Sequence, residues 1–258
     1  MIKKAIKNKI VKIKSFNLAI RTKGKSNSSK LAILIPGRLD TKDYVNFVSH
    51  LKLFANLGFF TVAFDPPGTW YSPGKTDLLT TTNYIKAINE LIEFFGNKPT
   101  ILLGHSRGGS AAILASLTNK NIVGIILVMA NYGAPTSPTK KKVKVGFKLT
   151  YRDLPPGNIE TKIKKEFKLP FSYWADGKKH NIIKSLQACL KPKLLIYGTA
   201  DEFTKPKDIV KINKNIPKPK MLIKIDSVHD YRYNKEAIKQ VEQSIKKFLQ
   251  AYKLFKKI

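Results

Sequence analysis

The chain has 258 residues, of which 43% are hydrophobic; this excludes a disordered chain and predicts one folded domain with a sizeable core. Its 48 lysines and arginines against 17 acidic residues give a formal net charge of +31. The single cysteine, Cys189, excludes an internal disulfide, and without a second thiol a zinc-finger type of metal site lacks ligands. Cys189 lies in an apolar helical pattern, which predicts a buried structural thiol.

The first sixteen residues are basic, and lysine interrupts every apolar pair, so the hydrophobic region of a secretory signal cannot form there. The longest apolar run, Ile122 to Ala130, is about half of the ~20 residues that a membrane-spanning helix needs. We therefore expect no transmembrane segment and a cytoplasmic location.

Strand-like and helix-like segments alternate along most of the chain, which predicts βαβ units and a mostly parallel sheet with helices on both faces. Apolar runs mark the strands, and glycines mark the ends of the first two helices at Gly58 and Gly96. In chain order, the elements predicted before residue 100 are two strands within about 9–22, strand Leu31 to Pro36, helix Tyr44 to Phe54, strand Phe59 to Phe64 and helix Tyr84 to Phe95.

The alternation continues through strand Ile122 to Ala130 and then stops for about sixty residues, where prolines are frequent. We predict that residues 133–190 form a cap or lid inserted into a single domain over residues 1–258. Aromatic residues of this insertion are expected to line an apolar substrate pocket or to pack: Phe147, Tyr151, Phe167, Phe171, Tyr173 and Trp174. The alternation then resumes with strand Lys193 to Tyr197, a helix near Lys207 to Asn215, strand Met221 to Ile225 and a closing helix from about Asn234.

A serine nucleophile is predicted at Ser106. Strand Ile101 to Leu103 leads directly into Gly104-His105-Ser106-Arg107-Gly108-Gly109, and small apolar residues follow. A nucleophile elbow needs a strand that delivers the serine to a strained turn, glycines that permit close backbone approach, and a helix whose N-terminal amides face the site. A structural glycine turn between strand and helix is the alternative interpretation.

An acid and a base follow the serine in the chain order that the elbow requires. Asp201 comes just after strand Lys193 to Tyr197, at the edge where open α/β sheets assemble their sites, and Glu202 is the alternative acid. His229 lies on the loop after the next strand, so we predict it as the base that takes the serine proton. Three other histidines fit this order poorly: His50, His105 and His180.

Two backbone N–H groups are needed to stabilise a tetrahedral intermediate. The elbow supplies the amide of Arg107, and the loop after the third predicted strand supplies that of Arg38, with Leu39 as the neighbouring alternative. The two arginine side chains are expected to pair with Asp40 or Asp65, and binding of an anionic substrate group is the other interpretation.

Over about residues 25–255 the chain resembles the α/β-hydrolase superfamily, and more narrowly its small bacterial and archaeal esterase-like members. The matching motifs are Pro36-Gly37-Arg38, the loop 65–72, Gly104 to Gly109, Gly198-Thr199-Ala200-Asp201, and His229. The resemblance implies an eight-stranded, mostly parallel sheet and hydrolysis through an acyl-enzyme without a cofactor, and no metal is expected. Pro36 and Trp70 depart from the family pattern, and these departures bear on the substrate class.

The predicted function is that of a serine hydrolase, carboxylesterase-like, which cleaves a carboxylic ester or related acyl bond of a small-molecule substrate. The same three side chains also serve acyltransferases and amide or peptide hydrolases. A hypothesis from another class is a basic protein that retains the fold but only binds an anionic partner, with steep salt dependence and no need of Ser106.

The lysine excess is spread over nearly every segment, with one dense run at Lys140, Lys141, Lys142 and Lys144. No nucleic-acid-binding motif accompanies it, so no specific nucleic-acid partner is expected. We interpret the charge as a compositional bias on solvated faces, which leaves open a weak surface contact with anionic partners.

Overall fold

The structure, a computed structural model, describes residues 9–138 and 146–254. The lysine run at 140–144 and the first residues of the basic N-terminal segment lie outside the described residues. Among the described residues, none of the helices has the length and apolar character needed to cross a membrane.

An eight-stranded, mostly parallel sheet forms the centre of the fold, as the resemblance implied. The strands of the described residues are β1 (Lys9–Lys12), β2 (Asn17–Lys23), β3 (Leu31–Ile35), β4 (Phe60–Phe64), β5 (Thr100–His105), β6 (Ile122–Val128), β7 (Phe147–Asp153), β8 (Lys164–Pro170), β9 (Lys193–Gly198) and β10 (Lys220–Ile225). The sheet order is β1-β2-β4-β3-β5-β6-β9-β10. β2 is antiparallel to both of its neighbours, and all the other pairs are parallel.

Helices cover both faces of this sheet. They are α1 (Val45–Asn56), α2 (Thr81–Phe94), α3 (Arg107–Thr118), α4 (Ser172–Gly177), α5 (Ile182–Ala188), α6 (Pro206–Lys214) and α7 (Lys235–Ala251). α1 and α7 pack on one face, and α2, α3, α5 and α6 pack on the other. Alternate side chains of β3 enter the two cores, so the whole strand is buried and its sequence is a continuous apolar run.

A two-stranded antiparallel hairpin of β7 and β8, followed by α4, lies apart from the central sheet. The sequence pattern did not predict these two strands, because most of their side chains are at least partly exposed and charged residues interrupt the apolar ones. In β8 only Phe167 and Leu169 are buried, and they join Leu39 and Trp174 in a third small core. These apolar contacts place the hairpin against the loop after β3.

Not all of the predicted insertion stands away from the sheet. α5 packs against α3 through Ile182 and Leu186, in the same layer as the other helices of that face. Cys189, directly after α5, is buried as predicted, and its Sγ lies 3.4 Å from Ser116 Oγ.

Candidate active site

Ser106 lies on the turn between β5 and α3, with φ 52° and ψ −120°. This conformation is uncommon for a residue other than glycine and costs about 1–3 kcal/mol. The turn is closely packed, since a Cβ on Gly104 would lie 2.4 Å from the Gly108 carbonyl oxygen. A Cβ on Gly108 would lie 2.1 Å from the carbonyl oxygen of Ile35. Both glycines are therefore required by the space available, and strand, turn and helix follow in the predicted order.

The three predicted catalytic side chains form one hydrogen-bonded chain. His229 Nε2 lies 2.8 Å from Ser106 Oγ, and His229 Nδ1 lies 3.0 Å from Asp201 Oδ1. Asp201 Oδ1 also accepts hydrogen bonds from the amides of Phe203 and Thr204, at 2.9 and 3.1 Å. Burial raises the pKa of Asp201, but the His229 hydrogen bond and these amides outweigh it and lower the pKa below its usual value. Asp201 is therefore a carboxylate at neutral pH.

The alternative acid and the other histidines take different places. Glu202 accepts a hydrogen bond from the backbone amide of His229 at 3.2 Å, whereas Asp201 contacts the imidazole ring. His50 and His180 bond to other parts of the domain, away from the serine. The sequence order therefore selected the histidine that contacts Ser106 and the carboxylate that contacts this histidine.

His105 forms a second histidine–aspartate pair that the sequence reasoning missed. Its Nε2 lies 3.1 Å from the carbonyl oxygen of His229, and its Nδ1 lies 3.2 Å from Asp40 Oδ2. Burial opposes ionisation of Asp40, yet the His105 hydrogen bond and charge hold the pKa of Asp40 well below its usual value. A carbonyl and a carboxylate can only accept, so both ring nitrogens must donate, as in an imidazolium.

The pKa of His105 agrees with this assignment. Burial lowers it, but the hydrogen bond and charge of Asp40 outweigh burial and raise the pKa above its usual value. The positive ring therefore ties the loop of Asp40 to the loop of His229. The only sequence signals for this pair were the position of His105 beside Ser106 and of Asp40 just after β3.

The loop after β3 lies against the serine. A Cβ on Gly37 would lie 3.2 Å from Ser106 Cβ. The Tyr84 hydroxyl donates a hydrogen bond of 2.7 Å to the carbonyl oxygen of Pro36, at the start of this loop. Arg152 on β7 donates two hydrogen bonds, of 3.1 and 2.9 Å, to the carbonyl oxygen of Arg38. This loop and the first turn of α3 therefore border Ser106 on two sides, where the donors of an oxyanion hole are needed.

The expectation that Arg38 and Arg107 pair with Asp40 or Asp65 is wrong. Asp65 instead forms a buried ion pair with Lys42 at 3.1 Å, and it also accepts a hydrogen bond from the Lys42 amide at 3.0 Å. The physical reason is that the loop after β3 packs against Asp65, so that Lys42 on this loop pairs with it. Asp40 is engaged by His105, as described above.

A cavity of about 220 Å³ is bordered by Ser106, His229 and three arginines, Arg38, Arg107 and Arg152. Its volume is below the ~300–1,000 Å³ of typical sites for drug-sized ligands. Charged and polar side chains make up much of its wall. The arrangement therefore suits a small, polar substrate.

The aromatic residues of the insertion contribute little to this cavity. Of those predicted to line an apolar pocket, Tyr173 borders the cavity. Phe167 and Trp174 are buried in the third core, while Tyr151 and Phe171 are 50% and 41% exposed. Phe147, on β7, is half-buried, and Lys168 Nζ lies 5.4 Å from its ring centroid. The pocket interpretation therefore applies to Tyr173 alone of the six.

One group of potential metal ligands lies beside the triad. Asp40, His105 and Asp230 have donor atoms within 4.8 Å of one another. Each already has a protein partner, since His105 and Asp40 bond to each other and Asp230 pairs with Arg232 at 2.8 Å. These hydrogen bonds and ion pairs explain, with no need of a metal ion, why the three side chains lie together.

Comparison with known proteins agrees with this fold. A family model described as alpha/beta hydrolase fold matches residues 32–169. A mouse protein named palmitoyl-protein thioesterase ABHD10, mitochondrial, is 23% identical over 232 residues, which cover 86% of this chain and 74% of the mouse protein.

Solved structures show the same architecture. Est1E from Butyrivibrio proteoclasticus, with ferulic acid bound, has a TM-score of 0.73 at 20% identity and covers 94% of this chain and 98% of its own. Mouse ABHD10 has a TM-score of 0.72 at 21% identity, with coverages of 95% and 99%. A monoacylglycerol lipase from Paleococcus ferrophilus has a TM-score of 0.70 at 21% identity, with coverages of 91% and 98%. At these identities the likeness is one of fold.

Proposed function

Because the chain belongs to the α/β-hydrolase fold family, we propose that it is a serine hydrolase that cleaves a carboxylic ester or thioester through an acyl-enzyme on Ser106. The observation that carries this proposal is the hydrogen-bonded chain from Ser106 through His229 to Asp201. Thioesters are included because the mouse relative is named a thioesterase.

In the first step, Ser106 Oγ attacks the acyl carbonyl carbon while His229 Nε2 takes the serine proton. The carbonyl π electrons move to the oxygen, and the amides of Arg107 and Arg38 donate hydrogen bonds to the oxyanion. Asp201 holds His229 in the tautomer that leaves Nε2 free to accept, and it then stabilises the imidazolium.

In the second step, the tetrahedral intermediate collapses and expels the alkoxide or thiolate, which takes the proton from His229 Nε2. Water then attacks the acyl-enzyme, and His229 accepts a proton from the water. Collapse of this second intermediate breaks the acyl–Oγ bond, releases the carboxylic acid and returns the proton to Ser106.

We propose that the hairpin and α4 act as the cap of this site. Arg152 on β7 bonds to the carbonyl of Arg38, and Tyr173 on α4 borders the cavity. The cap therefore contributes both to the position of the oxyanion loop and to the wall that contacts the substrate. A small-molecule substrate and a cytoplasmic location complete the proposal.

Labelling with a fluorophosphonate probe tests the nucleophile. Wild type and the matched control Ser116→Ala, which removes a buried hydroxyl elsewhere on α3, should both label, whereas Ser106→Ala should not. Turnover of nitrophenyl esters and thioesters, from acetyl to octanoyl, should fall by about 10⁵–10⁶-fold in Ser106→Ala. A folded wild type that neither labels nor hydrolyses any of these substrates would contradict the proposal.

The same substrate series separates hydrolysis from acyl transfer. A hydrolase should release acid at a rate that an added alcohol or amine leaves nearly unchanged. Faster turnover with such an acceptor, together with formation of the new ester or amide, would assign the same triad to an acyltransferase.

A further inference from the structure

The distribution of arginine in this chain differs from that of lysine. The chain has 43 lysines and only five arginines, yet three of the five arginines border the cavity beside Ser106. Most lysines of the described residues are exposed, while Lys42 and Lys193 are buried. Arginine differs from lysine in its planar fork of donors, which matches the paired oxygens of a carboxylate or phosphate. The concentration of arginine at one cavity therefore points to a specific use.

Two of the side chains at this cavity have buried donors without a partner among residues 9–138 and 146–254. Arg107 is 8% exposed; its Nη1 donates to the Gly133 carbonyl at 2.6 Å, but its Nη2 has no hydrogen-bond partner. The hydroxyl of Tyr173, which is 4% exposed, is also unpartnered. Leaving a buried donor unsatisfied is unfavourable, so such donors in a cavity are suited to a ligand.

Arg38 is a third free donor at the same place. It makes no ion pair within the described part of the chain, although its backbone carbonyl is held by Arg152. Burial lowers the pKa of Arg38; nearby Tyr173 and the charge of Asp40 oppose this shift, and the like charges of Arg152 and Arg107 add to it. A bound anion would offset both the free-energy cost of burying the guanidinium charge and the repulsion from the neighbouring arginines.

The three side chains lie together, since Arg38, Arg107 and Tyr173 also border a second void of about 10 Å³, too small for a substrate. Two acidic residues border the main cavity, Asp40 and Asp230, and each has a cationic partner other than Arg38 and Arg107. Asp40 bonds to His105 and pairs with Arg152 at 3.6 Å, and Asp230 pairs with Arg232. The cavity wall therefore retains an excess of positive charge beside the nucleophile.

We propose that Arg38, Arg107 and Tyr173 form an anion subsite, and that the hydrolase prefers acyl substrates that carry a carboxylate or phosphate group close to the scissile carbonyl. This inference rests on the proposed serine hydrolase function. The amides of Arg38 and Arg107 are the proposed oxyanion donors, so their side chains start next to the scissile carbonyl. A short chain must therefore join the anionic group to that carbonyl.

A matched pair of substrates tests the preference. One is the 4-nitrophenyl half-ester of adipic acid, with a free carboxylate, and the other is the same ester with that carboxylate replaced by a neutral amide. Hydrogen bonds to a charged group contribute enough for a roughly 10- to 100-fold preference in kcat/KM for the anionic ester. A third ester, ending in a phosphonate, distinguishes a phosphate-type substrate from a carboxylate.

Variants assign the preference to its residues. Arg38→Gln and Arg107→Gln should each lower the ratio of kcat/KM, anionic over neutral, by about 10-fold, and Tyr173→Phe by about 3-fold. Arg21→Gln is the matched control, because Arg21, which lies on β2, pairs with Asp43 and is outside the cavity wall. Its ratio should equal that of wild type.

Binding measured without turnover keeps the two proposals separate. Calorimetry on Ser106→Ala should show that adipate binds more tightly than its diamide, and that Arg107→Gln in the same background removes the difference. Turnover with no preference for the anionic ester would overturn the subsite and leave the hydrolase intact. Tight adipate binding by a chain that hydrolyses neither ester would overturn the hydrolase and retain the anion site.

Discussion

The elbow around Ser106 and the loop around His229 meet in two hydrogen bonds, one at the Ser106 hydroxyl and one from His105, but are built in different ways. The elbow comes from a contiguous segment, 104–109, and backbone contacts that exclude side chains at Gly104 and Gly108 hold it in place. The loop around His229 is held by side chains from distant segments, among them His105 on its carbonyl and Glu202 on its amide. The comparison teaches that a catalytic turn can be local, while the position of its base depends on the whole fold.

The loop of His229 also forms a unit with the hairpin. Arg232, which is 4% exposed, donates to Asp153 Oδ2 on β7 at 2.8 Å. Its guanidinium lies between the rings of Tyr44 and Tyr233, 4.6 and 4.3 Å from their centroids. Tyr44 in turn donates a hydrogen bond of 2.9 Å to the carbonyl of Asp153. The base and the proposed cap are therefore anchored by the same buried ion pair.

On the histidine side of the site, the largest effect is expected from replacing the acid, Asp201. Asp201→Asn should lower kcat by about 10⁴-fold, because the amide favours the wrong tautomer of His229. Glu202→Gln is the control, since Glu202 reaches only the backbone, and it should cost less than about 10-fold. Equal losses in the two variants would show that the carboxylates share the role.

A change in the elbow should act on stability. Gly108→Ala forces a methyl group to within 2.1 Å of the Ile35 carbonyl oxygen. We expect a loss of at least ~4 kcal/mol in the free energy of unfolding, measured with urea. In Gly133→Ala the added methyl meets only an Asn131 side-chain oxygen at 3.8 Å, so the loss should be below ~1 kcal/mol. A well-tolerated Gly108→Ala would refute the packing described for the turn.

Removing the ion pair between Arg232 and Asp153 tests whether the loop of His229 and the hairpin form one unit. Asp153→Ala removes one of the two carboxylates that pair with the buried guanidinium of Arg232, Asp230 being the other, and should cost about 3 kcal/mol of stability. Activity should fall with it, because the loop of His229 loses its support. Glu160→Ala removes an exposed carboxylate from the connection between β7 and β8, and should change stability by less than ~0.5 kcal/mol.

The smallest expected effect concerns pH. The pKa of His105 is raised in the folded protein, so its contribution to stability is fully present below the ordinary histidine pKa and is lost as pH rises through the folded value. The stability difference between wild type and His105→Gln, measured with urea, should therefore be larger at about pH 6 than at about pH 9. A difference that grows with pH would mean that His105 is neutral.

The central fold could be predicted from the sequence because its signals are local. Each sheet strand from β3 onward that is buried on both faces is an apolar run, and helical periodicity separates these runs. The hairpin was missed because a strand with mostly exposed side chains carries no such run. For the same reason the sequence left open whether the aromatic residues of this segment line a pocket or pack, and the structure places Tyr173 at the cavity and Phe167 and Trp174 in the third core.

For the candidate site, the sequence by itself determined the positions of Ser106, Asp201 and His229, because each follows a strand whose end lies at the same edge of a parallel sheet. Only the tertiary structure decided the side-chain pairings. Lys42 pairs with Asp65, His105 bonds to Asp40, and the arginines are left facing the cavity. The physical reason is that a strand end is set by local hydrophobic pattern, whereas the partner of a charged side chain depends on which distant segment packs beside it.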